Sequence, residues 1–301
     1  MWKFHSSQNT KYNMPIANSE LIINPDGSIY HLNLKPHQLA DTVITVGDPE
    51  RVSEVSKYFD VIELKVGKRE FHTHTGVYKN RRISVVSTGI GTDNIDIVFN
   101  ELDALVNIDF KTREIHKELK SLDIIRVGTS GAVQSDIPVD SFLLSQRGIG
   151  FDSLMHWYES DGGDLAFAKA VSKQIPRSKL QAAPYVVACD PDLAQKFQTL
   201  EMKNGNTITN VGFYGPQSRK IRLEPSEKNL NTHIADFNFE GHKITNLEME
   251  TAGIYAMAAL LGHRAVSLNA ILANRATGEF SNQPAATVEK LIKFTLDAVV
   301  A

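Results

Sequence analysis

Cysteine is almost absent from this chain: Cys189 is the only one in 301 residues. An internal disulfide is therefore impossible, the common zinc-ligand spacings cannot be met, and a reducing compartment is expected. Long apolar runs are missing as well. No stretch approaches the roughly 18 apolar residues that a membrane helix needs. The opening residues, MWKFHSSQNTKYNMP, lack the continuous apolar core of a signal peptide. The expected location is the cytoplasm, with no membrane partner. Charge of one sign is not in excess either. A formal net charge of −3 argues against a dedicated nucleic-acid binder. Neither a Walker A loop nor a GxGxxG fingerprint occurs. No repeat, low-complexity tract or linker interrupts the chain from Asp41 onward, so one continuous α/β domain is expected.

What is present centres on NLEMETAGIYAMAALLG, Asn246 to Gly262. The segment TAGIYAMAALL is apolar on nearly every side, which marks a helix buried within its own domain. Thr251 suits its start and Gly262 its end. Just ahead lie Glu248 and Glu250, flanking Met249. In an extended segment, residues two apart point the same way. Two readings of the acid pair stand: carboxylates facing one pocket, or an acidic helix N-terminus favoured by the dipole.

Three strand-to-glycine units precede this segment. DTVITVGDPER has a buried β-branched strand, a turn at Gly47-Asp48-Pro49 and a following helix that carries Arg51 in its first turn. A cation there opposes the helix dipole unless an anion is bound. A surface arginine is the alternative. RISVVSTGIG leads into a helix from about Asp93 to Leu105. IIRVGTSGA places Arg126 on an otherwise apolar strand, and Thr129 and Ser130 at what reads as a turn. Arg69 falls in the middle of a strand-like stretch. His31 sits between apolar neighbours. Residues 1–28 read as a loosely held polar tail that ends at Pro25-Asp26-Gly27. Asn107 to Asp123, with Ile115, Leu119 and Leu122 at helical spacing, reads as a charged surface helix. Cys189 lies in an apolar run and reads as core. Later, FYGPQSR gathers Phe213, Gln217 and Arg219 within seven residues, a set suited to a planar heterocycle.

Taken in order, VGDPER, STGIG, RVGTSGA, FYGPQSR and LEMETAG resemble the nucleoside phosphorylase-I superfamily, and within it the uridine-cleaving members. The resemblance runs from about His31 to the C-terminus. It implies a single-domain, three-layer α/β/α sandwich around a mixed, partly barrelled sheet, over residues 29–301. It also implies phosphate binding by Gly47, Arg51, Arg126 and Thr129, with Arg69 lent by a neighbouring subunit. Ribose would be held by Glu248, Met249, Glu250 and the neighbour's His31. The base would be read by Phe213, Gln217 and Arg219, assisted by Arg275. Arg126, Arg219 and Glu250 would carry the catalysis.

The implied reaction converts uridine and phosphate reversibly to uracil and ribose 1-phosphate. Phosphate is a co-substrate, and neither cofactor nor metal is required. The minimal active unit would be a homodimer, with a hexamer as the larger option. Purine-cleaving relatives carry an aspartate after the strand that here ends in Asn274-Arg275, and this chain has no acid there. Hydrolytic nucleosidases of the same fold lack the arginine set. A non-catalytic nucleoside binder on this fold is the rival from another class.

Overall fold

β-branched residues set the first element. In the computed structural model, which describes residues 15–301, β1 (Thr42–Val46) is the run TVITV, and all of it is buried. Val43 packs into one apolar cluster while Ile44 and Val46 pack into another. Burial on both faces is the reason the run is continuous rather than alternating.

Asp48 caps α1 (Pro49–Ser56), its carboxylate accepting the Glu50 N–H at 2.9 Å. An antiparallel set follows: β2 (Val61–Lys68), β3 (Phe71–Tyr78) and β4 (Arg81–Ser87), with β4 parallel to β1. After α2 (Thr92–Asn107) come a small hairpin, β5 (Ile108–Asp109) with β6 (Glu114–Ile115), and the long strand β7 (Asp123–Ala132). The rest runs β8 (Phe142–Gly150), α3 (Leu165–Gln174), β9 (Tyr185–Ala188), α4 (Pro191–Gln195), β10 (Lys203–Thr209) and α5 (Leu230–Asp236). It ends with β11 (Ile244–Glu248), α6 (Thr251–Leu261), β12 (Arg264–Asn274), β13 (Glu279–Phe280) and α7 (Pro284–Val300).

Apart from the β5–β6 hairpin, the strands form one mixed sheet of eleven, part of which closes on itself. The first half of β7 pairs with β1, and its last residues, Gly131 and Ala132, pair with β11. Its other edge runs parallel to β12 along its length. β12 continues to β8, β8 to β10 and β10 to β11, which completes a ring of five strands. β1, β4, β3 and β2 extend from the ring as an open flange. One core cluster lies between the sheet and α2 with α6; another lies under α1, α4 and α7. These are the three layers of the expected sandwich. Half-buried Cys189 packs against both clusters, and burial pushes its thiol up to about 11, which leaves it inert as a nucleophile.

The structure corrects four local expectations. The GTSGA segment is not a turn: it continues β7. Arg69 is not mid-strand but sits at the turn between β2 and β3, with φ at 57°. Residues 107–123 do not form a helix. Asp109 closes a turn by accepting the Lys111 and Thr112 N–H groups, and Asn107 grips the Lys120 backbone through both its amide atoms. Ile115 and Leu119 remain 42% and 64% exposed, so their helical spacing found no surface to pack on. Residues 16–28 are not loose. Arg113 holds the backbone carbonyls of Ile16, Ala17 and Leu21, and Leu21 is buried. Residues 1–14 of the expected tail lie outside the described residues. Among the described residues no helix is long and apolar enough to cross a membrane.

Candidate active site

Alternation along β7 puts Arg126, Gly128 and Ser130 on one face. The Arg126 side chain folds back over Gly128, where a Cβ would stand 1.9 Å from Nη1. Only glycine leaves room for the guanidinium. Gly128→Ala is therefore expected to cost about 1–3 kcal/mol from overpacking, seen as a melting temperature several degrees lower. An unchanged melt would mean that the guanidinium is not held in this place.

Arg126 is buried between two acids. Its Nη2 lies 2.7 Å from Glu250 Oε2 and 3.2 Å from Glu248 Oε2, and Nη1 donates to Asn269 Oδ1 at 3.1 Å. Burial opposes its charge, but the two carboxylates outweigh burial and hold the guanidinium above its usual value. Glu250 is held above the usual carboxylate range, chiefly by burial; the attraction of Arg126 opposes this and the charge of Glu248 adds to it.

The two acids face the same guanidinium but differ in what else they hold. Glu248 ends β11 and caps α6: its Oε2 accepts the Glu250 and Thr251 N–H groups at 2.9 and 2.8 Å and the Thr251 hydroxyl at 2.9 Å. Its Oε1 accepts the Thr209 hydroxyl at 2.5 Å. Glu250 instead accepts the Gly91 N–H at 2.9 Å and Arg126. Gly91, with φ at 97°, can turn that N–H inward where a residue with a side chain would be strained.

These groups wall a cavity of about 700 Å³, within the size range of small-molecule sites. Gly47, Arg51, Arg126, Thr129, Glu248, Met249 and Glu250 line it, together with Phe213, Gln217 and Arg219. Arg51 Nε is buried and finds no hydrogen-bond partner among the described residues. Burial pulls Arg51 below its ordinary value, against the charges of Asp48 and Glu54. A desolvated guanidinium at the start of α1 has the chemistry to take up an anion.

Of the other lining residues, Gln217 is buried and Phe213 half exposed. The Arg219 guanidinium lies 3.8 Å from the Phe213 ring centre, and its Nη1 donates to the Phe213 carbonyl at 2.7 Å and to Gln217 Oε1 at 2.6 Å. Burial, then the nearby charge of Arg275, pull Arg219 down to about 10. Arg275 does not line the cavity; its Nη1 supports the loop by donating to the Gln217 carbonyl at 3.3 Å.

His31 and Arg69 are not brought into this cavity. Their sequence neighbours meet outside it: Lys68 Nζ donates to the Tyr30 carbonyl at 2.5 Å, and the His31 ring meets Phe71 edge-on at 6.0 Å. Sequence reading missed Glu70, Ile90, Asn94, Leu272 and Phe280, all of which line the cavity. Leu272 is the extra residue at a register shift in β12, and bulges re-aim side chains in this way. Glu70 and Phe280 come from hairpins, where no periodicity marks an inward side chain. A second cavity of about 610 Å³ lies beyond the 213–227 segment and shares Arg219 as a wall, but none of Arg51, Arg126 or Glu250 lines it.

Comparison with known proteins gives the family. Residues 41–301 match the family described as the phosphorylase superfamily. The chain is similar to a uridine phosphorylase of Thermococcus kodakarensis, 29% identical over 85% of this chain and 80% of that protein. It is similar, at 27% identity over 90% of this chain and 98% of the other, to a DeoD-type purine nucleoside phosphorylase of Oceanobacillus iheyensis. Among solved structures, a Trypanosoma brucei nucleoside phosphorylase described as showing uridine phosphorylase activity superposes with a TM-score of 0.85 at 27% identity, covering 93% of this chain and 99% of that one. With the barrelled sheet, the buried arginine–carboxylate cluster and the family match over most of its length, the chain belongs to the phosphorylase superfamily, as a pentosyltransferase of the nucleoside phosphorylase type.

Proposed function

We propose that this protein is a uridine phosphorylase, with deoxyuridine or thymidine as further candidate substrates. The observation that carries the pyrimidine assignment is the Phe213–Gln217–Arg219 cluster on the cavity wall. Phe213 offers a stacking face, the Gln217 carboxamide matches the N3–H and O2 edge, and Arg219 meets negative charge at O4. Asn274 supports the same choice. Its amide nitrogen donates to the Gln134 and Ile137 carbonyls, and its oxygen accepts from Ala276 and Thr277. It is committed to the turn and has no acid to offer a purine N7.

In this reading phosphate is held by Arg51, Arg126, Thr129 and the Gly47 backbone, with Arg69 supplied by a second copy. Charge-assisted, two-pronged bonds to a near-dianion justify gathering cations that would otherwise repel. Glu250 uses two of its roughly four lone-pair positions on Gly91 and Arg126, which leaves others for the 2′ and 3′ hydroxyls. Glu248 and Met249 complete the ribose side with the partner copy's histidine, equivalent to His31. A phosphate oxygen attacks C1′ and the bond to N1 breaks. The electron pair passes into the pyrimidine, where Arg219 and Gln217 stabilise it. The proton that phosphate gives up on becoming an ester ends on the uracil nitrogen. Each well-placed donor supplies about 3–4 kcal/mol to such a step, and fixing phosphate beneath C1′ adds the proximity gain. The active unit is a two-fold homodimer, and the lone, inert Cys189 suits a reducing cytoplasm.

The test is uracil release from uridine with and without phosphate, with inosine run beside it. Phosphate-dependent release from uridine alone is expected. Release without phosphate would make the enzyme a nucleosidase, and turnover of inosine would follow its purine-cleaving relatives and overturn the base assignment.

A further inference from the structure

Glu101, on α2, grips the segment that carries His31. Its two carboxylate oxygens accept the His31 backbone N–H at 2.9 and 3.0 Å, and Oε2 accepts the Leu32 N–H at 2.8 Å. The same carboxylate meets the ring: His31 Nδ1 lies 2.7 Å from Oε1. An ionised carboxylate only accepts, so Nδ1 carries a proton and the tautomer is set. Tyr30 meets the ring edge-on at 4.7 Å, and Phe71 meets it edge-on at 6.0 Å. The ring is nevertheless 23% exposed, so it is fixed in place without being buried for packing. One side chain thus fixes the local backbone, the ring orientation and the tautomer together. Packing alone requires none of the last two.

We propose that Glu101 is a positioning residue for the neighbouring subunit's active site: it presents His31 with Nε2 outward, toward a ribose hydroxyl in the partner's cavity. This rests on the reading above that His31 serves the neighbour. Nε2 is the atom able to accept from the sugar when the ring is neutral. Glu101 reaches no substrate itself and acts only through His31.

The test is a double-mutant cycle on the full-length enzyme, with KM for uridine and KM for phosphate measured separately. His31→Ala and Glu101→Gln are each expected to raise the uridine KM about tenfold, the loss of one hydrogen bond within an ionised network. The phosphate KM should stay within about twofold, because uniform binding is lost only on the sugar side. The double variant should be no worse than His31→Ala alone. Glu101→Asp, which keeps the charge but retracts it, should fall between wild type and Glu101→Gln, and it carries the cycle if Glu101→Gln fails to fold. A uridine KM raised by His31→Ala but untouched at position 101 would overturn the positioning role while leaving the site reading intact. Additive losses, or equal losses for uridine and phosphate, would make Glu101 a general structural residue and overturn the proposal. An inert His31→Ala would remove the reading itself.

Discussion

Arg126→Met is expected to reduce phosphorolysis of uridine by about a thousandfold and to leave a protein that melts about 10 °C lower. The first effect follows from the proposed role: Arg126 would hold the attacking phosphate, and losing one preorganised buried donor costs about a hundred- to a thousandfold in comparable sites. The second follows from the partners left behind. Breaking a buried ion pair by deleting one member costs about 3–5 kcal/mol, which in a chain of this size moves the melt by roughly 2–4 °C per kcal/mol.

The stability deficit should also depend on pH, with a sign fixed by Glu250. Its carboxyl is already held above the usual range by burial, against the pull of Arg126. Without that pull it rises further. The folded variant then binds more protons than the unfolded chain, so stability falls as pH climbs from the unfolded carboxyl pKa to the folded one. Melting curves at pH 5 and pH 8 check this. The deficit should be smaller at pH 5, and an equal deficit at both would show that the carboxyls do not depend on Arg126.

Arg219→Ala is the second large effect, with a different signature. We expect kcat/KM for uridine to fall about a hundred- to a thousandfold, the loss of a donor to charge developing on the base. The melting temperature should move by no more than about 2 °C, because surface-loop substitutions usually stay within about half a kcal/mol. Among the described residues the Arg219 side chain is held only by the Phe213 carbonyl, the Phe213 ring and Gln217, all on its own loop. Steady-state kinetics beside a melting curve decide the point, and unchanged turnover would sink the base assignment.

The parts of this molecule legible from its sequence are those that local chemistry dictates. TVITV could only be a strand buried on both faces, and TAGIYAMAALL ending at Gly262 could only be a buried helix; both stand at those positions, and Gly262 adopts φ 79°. The GDPER, GTSGA, LEMETAG and FYGPQSR motifs also line one cavity. What failed was decided by distant partners. GTSGA reads as a turn in isolation, but β12 pairs with it residue by residue and keeps it extended. Arg69 lies in a run that alternates like a strand, yet the β2–β3 hairpin reverses there. Residues 107–123 have helical spacing without a face to receive it. The acid pair was ambiguous for a better reason: both glutamates line one cavity, and Glu248 also takes the N–H groups at the start of α6.

Closure of the five-strand ring also has a consequence for the order in which this protein can be made. β7, which carries Arg126, has its long edge on β12, and the Arg264–Asp123 pair that begins this contact spans 141 positions of chain. Until β12 has left the ribosome, β7 has no partner along that edge and the ring stands open. Exposed strand edges template pairing with other chains, and contacts this far apart in sequence form slowly. A chain truncated ahead of β12 would lose Asn269 and the bulge at Leu272, and would display two raw edges in their place. Competence and resistance to aggregation therefore arrive together, once β12 has been made.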